Sequence, residues 1–163
     1  MKWMRFRAGG VERFGVLAGD KVQAWQGDMF GEKQASGEEF ALDAIEWLTP
    51  TRPSKMIGLW NNFRAAAEKN GNAIPPEPLY FIKGANSYCA HGQPILAPTS
   101  HDGRVVYEGE LAVVIGKRAK AVSVADAPAH IFGYSCANDV TAPELLKRDE
   151  SFAQWTRAKS FDT

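Results

Sequence analysis

The chain has 163 residues, of which 45% are hydrophobic and 23% charged, the balance of a soluble globule of one domain or a domain with a small appendage. Lys+Arg and Asp+Glu stand at 19 each, so no bulk field favours nucleic acid or a membrane surface. No apolar run is long enough to span a bilayer, and Met1–Arg7 alternates charge with bulk rather than forming the apolar centre of a signal peptide, which places the protein in the cytoplasm.

Residues 2 to 26 read as a small antiparallel meander. Trp3, Phe6, Phe14, Val16, Leu17, Val22 and Trp25 supply strand-type bulk, and Ala8-Gly9-Gly10 and Ala18-Gly19-Asp20 supply turns. Residues 27 to 41 are rich in Gly and Glu and read as a loop. Leu42, Ile45 and Leu48 line one face of a short helix that Thr49-Pro50 ends. A boundary near Pro50 to Pro53 separates this N-terminal module, residues 1–50, from a main domain, residues 51–163.

Met56–Trp60 reads as a strand. Asn61 or Asn62 caps a helix over Phe63–Asn70, which Gly71 closes. Ile74 to Pro78 is held extended by its prolines, and Leu79–Lys83 is a second strand. Gly84 to Pro98 is mostly loop, and His101-Asp102-Gly103 is a hairpin-type turn into a strand over Val105–Gly116. Ser123 caps a short helix through Ala125, Ala129 and Ile131. Phe132 to Ala137 is a buried strand, and Pro143 opens a helix over Glu144–Arg148. Cys89 and Cys136 have no metal-site spacing and read as packed thiols.

The apolar stretch Val105–Gly116 carries Glu108 and Glu110, which share one face of a strand because side chains alternate. Two readings fit. Paired carboxylates in a core need a cation, and hard oxygen donors suit a divalent metal. The same spacing also occurs on the solvated face of a surface strand.

Tyr107-Glu108-Gly109-Glu110-Leu111-Ala112-Val113-Val114-Ile115-Gly116 followed by Ala137-Asn138-Asp139-Val140-Thr141-Ala142 resembles the fumarylacetoacetate hydrolase superfamily, in particular its members isomerising 2-hydroxyhepta-2,4-diene-1,7-dioate and 5-carboxymethyl-2-hydroxymuconate. Gly58–Arg64, Leu79–Lys83 and Gln154–Asp162 add linked motifs in the same order, over about residues 50 to 163. The resemblance implies a mixed α/β, β-rich fold: a sandwich or roll core with short outer helices, preceded by a small β module. It implies that Glu108, Glu110 and Asp139 bind Mg2+ or Mn2+, which chelates a 2-oxo or 2-hydroxy acid and stabilises its enolate. Lys159 matches a family lysine near that developing charge, and Lys83 one on the strand before the substrate loop, where binding substrate and forming a structural salt bridge fit equally well. By sequence alone Lys159 also reads as a surface lysine. Arg157 or Arg64 would hold the substrate carboxylate in place of an arginine that many relatives carry where this chain has Pro143. Relatives form dimers or larger homo-oligomers.

One departure bears on the reaction. Family hydrolases often carry a histidine, paired with a glutamate, on the helix after the Asn-aromatic pair. Here Ala66 takes the histidine position, and Glu68, one residue from the glutamate position, is with Lys159 the catalytic candidate that the resemblance implies. Hydrolysis needs a positioned base. His130 reads as packing, and His91 and His101 as solvated turn residues. The expectation is therefore an isomerase or decarboxylase of unsaturated 2-oxo diacids in the degradation of aromatic compounds, with C–C hydrolysis of an acylpyruvate as the alternative. A third expectation is an inactive or partner-dependent subunit or fragment, since relatives continue beyond the position of Phe161 with strands that complete a β core and shield sheet edges.

Overall fold

The computed structural model describes residues 1–149, 151–152 and 154–162. It is β-rich, with nine strands and three short α-helices among the described residues. The backbone divides into two compact units, one of residues 1–52, 89–93 and 110–137, the other of residues 53–88, 94–109 and 138–163.

The first unit holds a five-stranded sheet in the order β4-β3-β2-β1-β5, built from β1 (Trp3–Ala8), β2 (Val11–Ala18), β3 (Lys21–Gly27), β4 (Lys33–Ala41) and β5 (Glu46–Trp47). All pairings are antiparallel, and the glycines at the tight turns, Gly9, Gly10 and Gly19, take positive φ. The alternation of β1 and β3 buries Met4, Phe6, Ala8, Val22 and Ala24 as one cluster, which Leu17, Phe40, Leu42, Ile45 and Trp47 flank.

The meander over residues 2 to 26 forms as expected. The loop expected over 27 to 41 instead contains β4. Its Gly and Glu content suggested a loop, yet the edge strand needs only backbone pairing to β3, with Phe40 opposite Val22, and Glu38 and Glu39 face water. The helix expected from Leu42, Ile45 and Leu48 is one 3-10 turn, Leu42–Ala44, followed by β5. The side chains of Leu42 and Ile45 pack against the sheet core rather than forming a helix face. The unit also contains a two-stranded ladder of β8 (Gly109–Ile115) and β9 (Ile131–Asn138). The Ser123 segment forms a 3-10 turn, Ala127–His130, rather than an α-helix. Ser123 Oγ accepts the Asp126 N–H, so the capping chemistry closes a turn only.

The second unit contains the antiparallel pair β6 (Met56–Trp60) and β7 (Leu79–Lys83), and the helices α1 (Arg64–Lys69), α2 (Pro143–Leu146) and α3 (Trp155–Lys159). Gly58 lies opposite Phe81, and a Cβ there would fall 2.3 Å from the Phe81 ring, so glycine is what lets the ring lie across the strand. The N-cap of α1 is Phe63, without a side-chain bond. Asn61 instead adopts positive φ and donates to the Ala73 carbonyl, tying the loop after α1 to the loop before it. Gly71 closes α1 at positive φ, as expected. Ala142, Leu145, Ala158 and Phe161 form the core between α2 and α3.

The extent of one expected strand and the burial of another are corrected. The Val105–Gly116 strand begins only at Gly109, and it is half-exposed: Leu111 is 64% exposed, while Ala112 and Val114 face inward. Phe132–Ala137 likewise alternates, with Tyr134 and Cys136 outward. Apolar β-branched runs mark a strand but do not say whether both faces are covered. Among the described residues no helix is long and apolar enough to cross a membrane.

Candidate metal centre

Glu108 lies just before β8 and Asp139 just after β9. The backbone brings them together: Asp139 N–H donates to Glu108 O at 2.9 Å, and Val106 and Thr141 form an antiparallel bridge two residues further out. Asn138 Oδ1 accepts the Glu108 N–H at 3.0 Å, which fixes the turnout of that segment. Glu110 follows Glu108 by two residues. Carboxylate oxygens of Glu108, Glu110 and Asp139 lie within 4.8 Å of one another, with Asp139 buried and the two glutamates half-buried. Three hard oxygen donors gathered so closely are a donor set that a hard divalent cation could take, and as like charges they repel one another.

Two ammonium groups enter the same cluster. Lys159, which sequence alone also allowed as a surface residue, is buried at 5% exposure at the end of α3. Its Nζ donates to both oxygens of Glu108 at 3.0 Å, to Asp139 Oδ2 at 2.7 Å and to Thr141 Oγ1 at 2.8 Å. It also stands 5.4 Å from the centre of the Phe81 ring, a cation–π distance. Lys83, at the end of β7, is equally buried, and its Nζ donates to Asp139 Oδ1 at 2.5 Å and to the Lys159 carbonyl. Beyond it, Gly84 N–H donates to Ser160 Oγ at 3.1 Å and Asn86 Nδ2 to Asp162 Oδ1 at 2.5 Å. The segment from Lys83 to Asn86 thus runs beside Lys159 to Asp162 and holds the lysine in place. A charge buried this far is stable only when paired on all sides, and here it is.

Thr141 and Phe81 were not singled out from the sequence. Thr141 lies two residues beyond Asp139, and strand alternation could have placed both on one face; its hydroxyl also donates to the Asp139 carbonyl at 3.0 Å. Nothing local in the sequence marks Phe81 as a neighbour of Lys159. Arg157, on α3, and Arg64 and Glu68, on α1, have exposed side chains, and Glu68 is not one of the carboxylates gathered at the cluster.

The histidines lie elsewhere. His91 is exposed and packs its ring 5.0 Å from that of Trp47. His101, expected to be solvated, has a side chain only 3% exposed, with Nε2 3.3 Å from the Arg104 carbonyl and 3.7 Å from Glu144. The His101-Asp102-Gly103 turn folds back over the ring, and a Cβ at Gly103 would fall 2.4 Å from it. His130 ends the 3-10 turn, its Nδ1 buried without a hydrogen-bond partner among the described residues.

Residues 55–163 match the family described as fumarylacetoacetate (FAA) hydrolase, C-terminal. The chain belongs to this family. Residues 1–50 match a second description, Rv2993c-like, N-terminal. The chain is 43% identical over 127 residues to an uncharacterized protein of Archaeoglobus fulgidus, covering 78% of this chain and 49% of that protein. It is 39% identical over 128 residues to the oxaloacetate tautomerase YisK of Bacillus subtilis, covering 76% of this chain and 42% of the relative. Among solved structures it resembles 5-carboxymethyl-2-hydroxymuconate delta-isomerase from Mycobacterium smegmatis, with a TM-score of 0.85 and 31% identity, over 100% of this chain and 63% of that one. The chain therefore spans about half the length of the curated relatives it matches. The neighbouring fumarylacetoacetate hydrolase family structures bear out the β-rich mixed α/β fold expected from the sequence.

Proposed function

We propose that this chain carries the catalytic chemistry of a divalent-metal-dependent enzyme that isomerises 2-oxo acids through their enol forms. The observation that carries the reading is the buried Lys159 ammonium set among the clustered carboxylates, in a site that no histidine joins among the described residues. In this reading residues 51–163 hold the chemistry, residues 1–50 are a small appended module, and the protein works as a homo-oligomer.

Glu108, Glu110 and Asp139 would hold Mg2+ or Mn2+, which supplies Lewis-acid stabilisation of the negative oxygen of an enolate. Lys159, itself buried, offers a second positive charge to that oxygen, and burial strengthens the interaction. Lys83 orients Asp139 through Oδ1 and anchors the Lys159 backbone through its carbonyl, so it serves as a positioning residue. Arg157 and Arg64, both exposed, are the candidates to meet a distal substrate carboxylate. Moving a proton between carbon and oxygen of a 2-oxo acid consumes no water, and loss of CO2 from such an acid passes through the same enolate. Both steps need charge stabilisation and a group that shuttles the proton, and neither needs a base that activates water for attack on a carbonyl, the role that Ala66 leaves unfilled.

The proposed substrates are unsaturated 2-oxo or 2-hydroxydienoic diacids. Relatives named as oxaloacetate tautomerases and neighbours named as muconate-type and diene-dioate isomerases support a 2-oxo diacid that shifts its double bonds. The test compares the protein with Mg2+, with Mn2+ and with chelator on enol-oxaloacetate, on 2-hydroxyhepta-2,4-dienedioate and on fumarylpyruvate. Metal-dependent isomerisation of either of the first two supports the reading. Rapid cleavage of fumarylpyruvate alone rejects it in favour of a C–C hydrolase.

A second reading, activity only with a further polypeptide, is favoured by one face of the β6–β7 pair. Ile57 lies opposite Ile82 and Leu59 opposite Tyr80, all exposed, with Tyr80 at 70%. Such a face is that of an interface. Normal turnover by the isolated 17.9 kDa chain would reject this second reading.

A further inference from the structure

Both oxygens of Glu108 and both oxygens of Asp139 already accept a hydrogen bond from an ammonium. Those are the oxygens to which the metal reading assigns a divalent cation. We propose that Lys159 is the resident counter-cation of the cluster, and that a divalent cation and the Lys159 ammonium compete for the oxygens of Glu108 and Asp139, so that metal loading releases the ammonium. The proposal rests on the metal assignment above.

Charge and geometry carry it. A divalent cation added without release would share acceptors with an ammonium 2.7 to 3.0 Å from those oxygens, and like charges on common ligands repel strongly in a buried site.

The two lysines differ in how they are held. Lys83 is tied to a backbone carbonyl as well as to Asp139. Among the described residues the Lys159 ammonium bonds only side chains, and Thr141 Oγ1 is its one uncharged acceptor. A lysine is a compact charge on a flexible stem, and the Phe81 ring face, 5.4 Å from Nζ, offers a neutral seat beside the cluster. Lys159 is therefore the group that yields, and Lys83 the group that stays.

The competition predicts that removing the ammonium strengthens metal binding. Mn2+ binding to the full chain would be measured by isothermal titration calorimetry at fixed pH and ionic strength. Lys159→Met is expected to lower the Kd by about tenfold or more. Lys159→Arg, which keeps the charge, is expected to stay near the parent value, and Lys33→Met, a lysine over the Trp3 and Phe132 rings, is expected to leave it unchanged. A second measurement needs no variant: acetylation of Lys159 by acetic anhydride, read by peptide mass spectrometry, is expected to rise severalfold when Mn2+ is added. An equal or weaker affinity in folded Lys159→Met, or unchanged acetylation while Mn2+ binds, overturns the proposal and leaves the metal assignment standing. Absence of Mn2+ binding to the parent protein overturns both. If circular dichroism shows that Lys159→Met does not fold, the acetylation result decides.

Discussion

Replacing Lys83 by Met tests how the site is built, apart from any turnover. The substitution keeps the length of the side chain but removes an ammonium whose side chain is 9% exposed, from a partner, Asp139, at 7%. Asp139 Oδ1 and the Lys159 carbonyl lose their donor together. At 2.5 Å the Coulomb attraction is roughly 7 kcal/mol for an effective dielectric constant near 20, an upper bound before desolvation is subtracted. Breaking one side of a buried pair costs about 3–5 kcal/mol, and here Asp139 keeps Lys159 at 2.7 Å, which points to the lower end. About 3 kcal/mol corresponds to a fall in Tm of roughly 6–12 °C for a chain of this length. Thermal and urea unfolding followed by circular dichroism, in chelator so that bound metal adds nothing, would measure it. The double variant with Asp139→Asn should recover part of the loss, because it removes the orphaned charge. A loss below about 1 kcal/mol, the range of a surface pair, would refute the claim that this bridge is a buried structural element.

Lys159→Met should lower kcat on a 2-oxo diacid by about a hundredfold or more at saturating Mg2+ while the fold survives, the scale of a lost charge-stabilising donor; a change under about threefold would remove Lys159 from the chemistry. Gly58→Ala should destabilise by about 1–3 kcal/mol, because the added Cβ falls 2.3 Å from the Phe81 ring, and an unchanged urea midpoint would show that the ring shifts freely. Desolvation pushes the Glu12 carboxyl up, but the Arg7 hydrogen bond and the charges of Arg52 and Arg5 outweigh it and hold the group below its ordinary value of 4.5. A depressed folded-state value means that the contribution to stability is present above the unfolded-state value and is lost as pH falls through the folded one. Glu12→Gln should therefore narrow the gap between urea midpoints at pH 7 and pH 3.5, and an undiminished gap would refute it.

The elements whose signals are local could be read from the chain directly. The β1–β3 meander, the Met56–Trp60 and Leu79–Lys83 strands, and the glycine that closes α1 follow from alternation and turn chemistry within a few residues. Local signals failed where pairing overrode composition: β4 formed from a Gly- and Glu-rich stretch because β3 offered its edge. They failed again where burial depends on what lies across a face, as for β8, with Leu111 outward, and for His101, enclosed by its own turn.

For the site, residue types and spacing alone already marked Glu108 and Glu110 as a pair that needs an explanation, and linked motifs tied Asp139 and Lys159 to them. Which of these side chains meet was decided only by long-range pairing. Residues 108 and 139 face each other through backbone hydrogen bonds across the β8–β9 turnout, and residues 83–86 lie along 159–162. Chain entropy opposes bringing such distant segments together, so no short window of sequence encodes the contact; the packed fold does. That packing turned a lysine readable as surface into one enclosed by two carboxylates, a hydroxyl and an aromatic face.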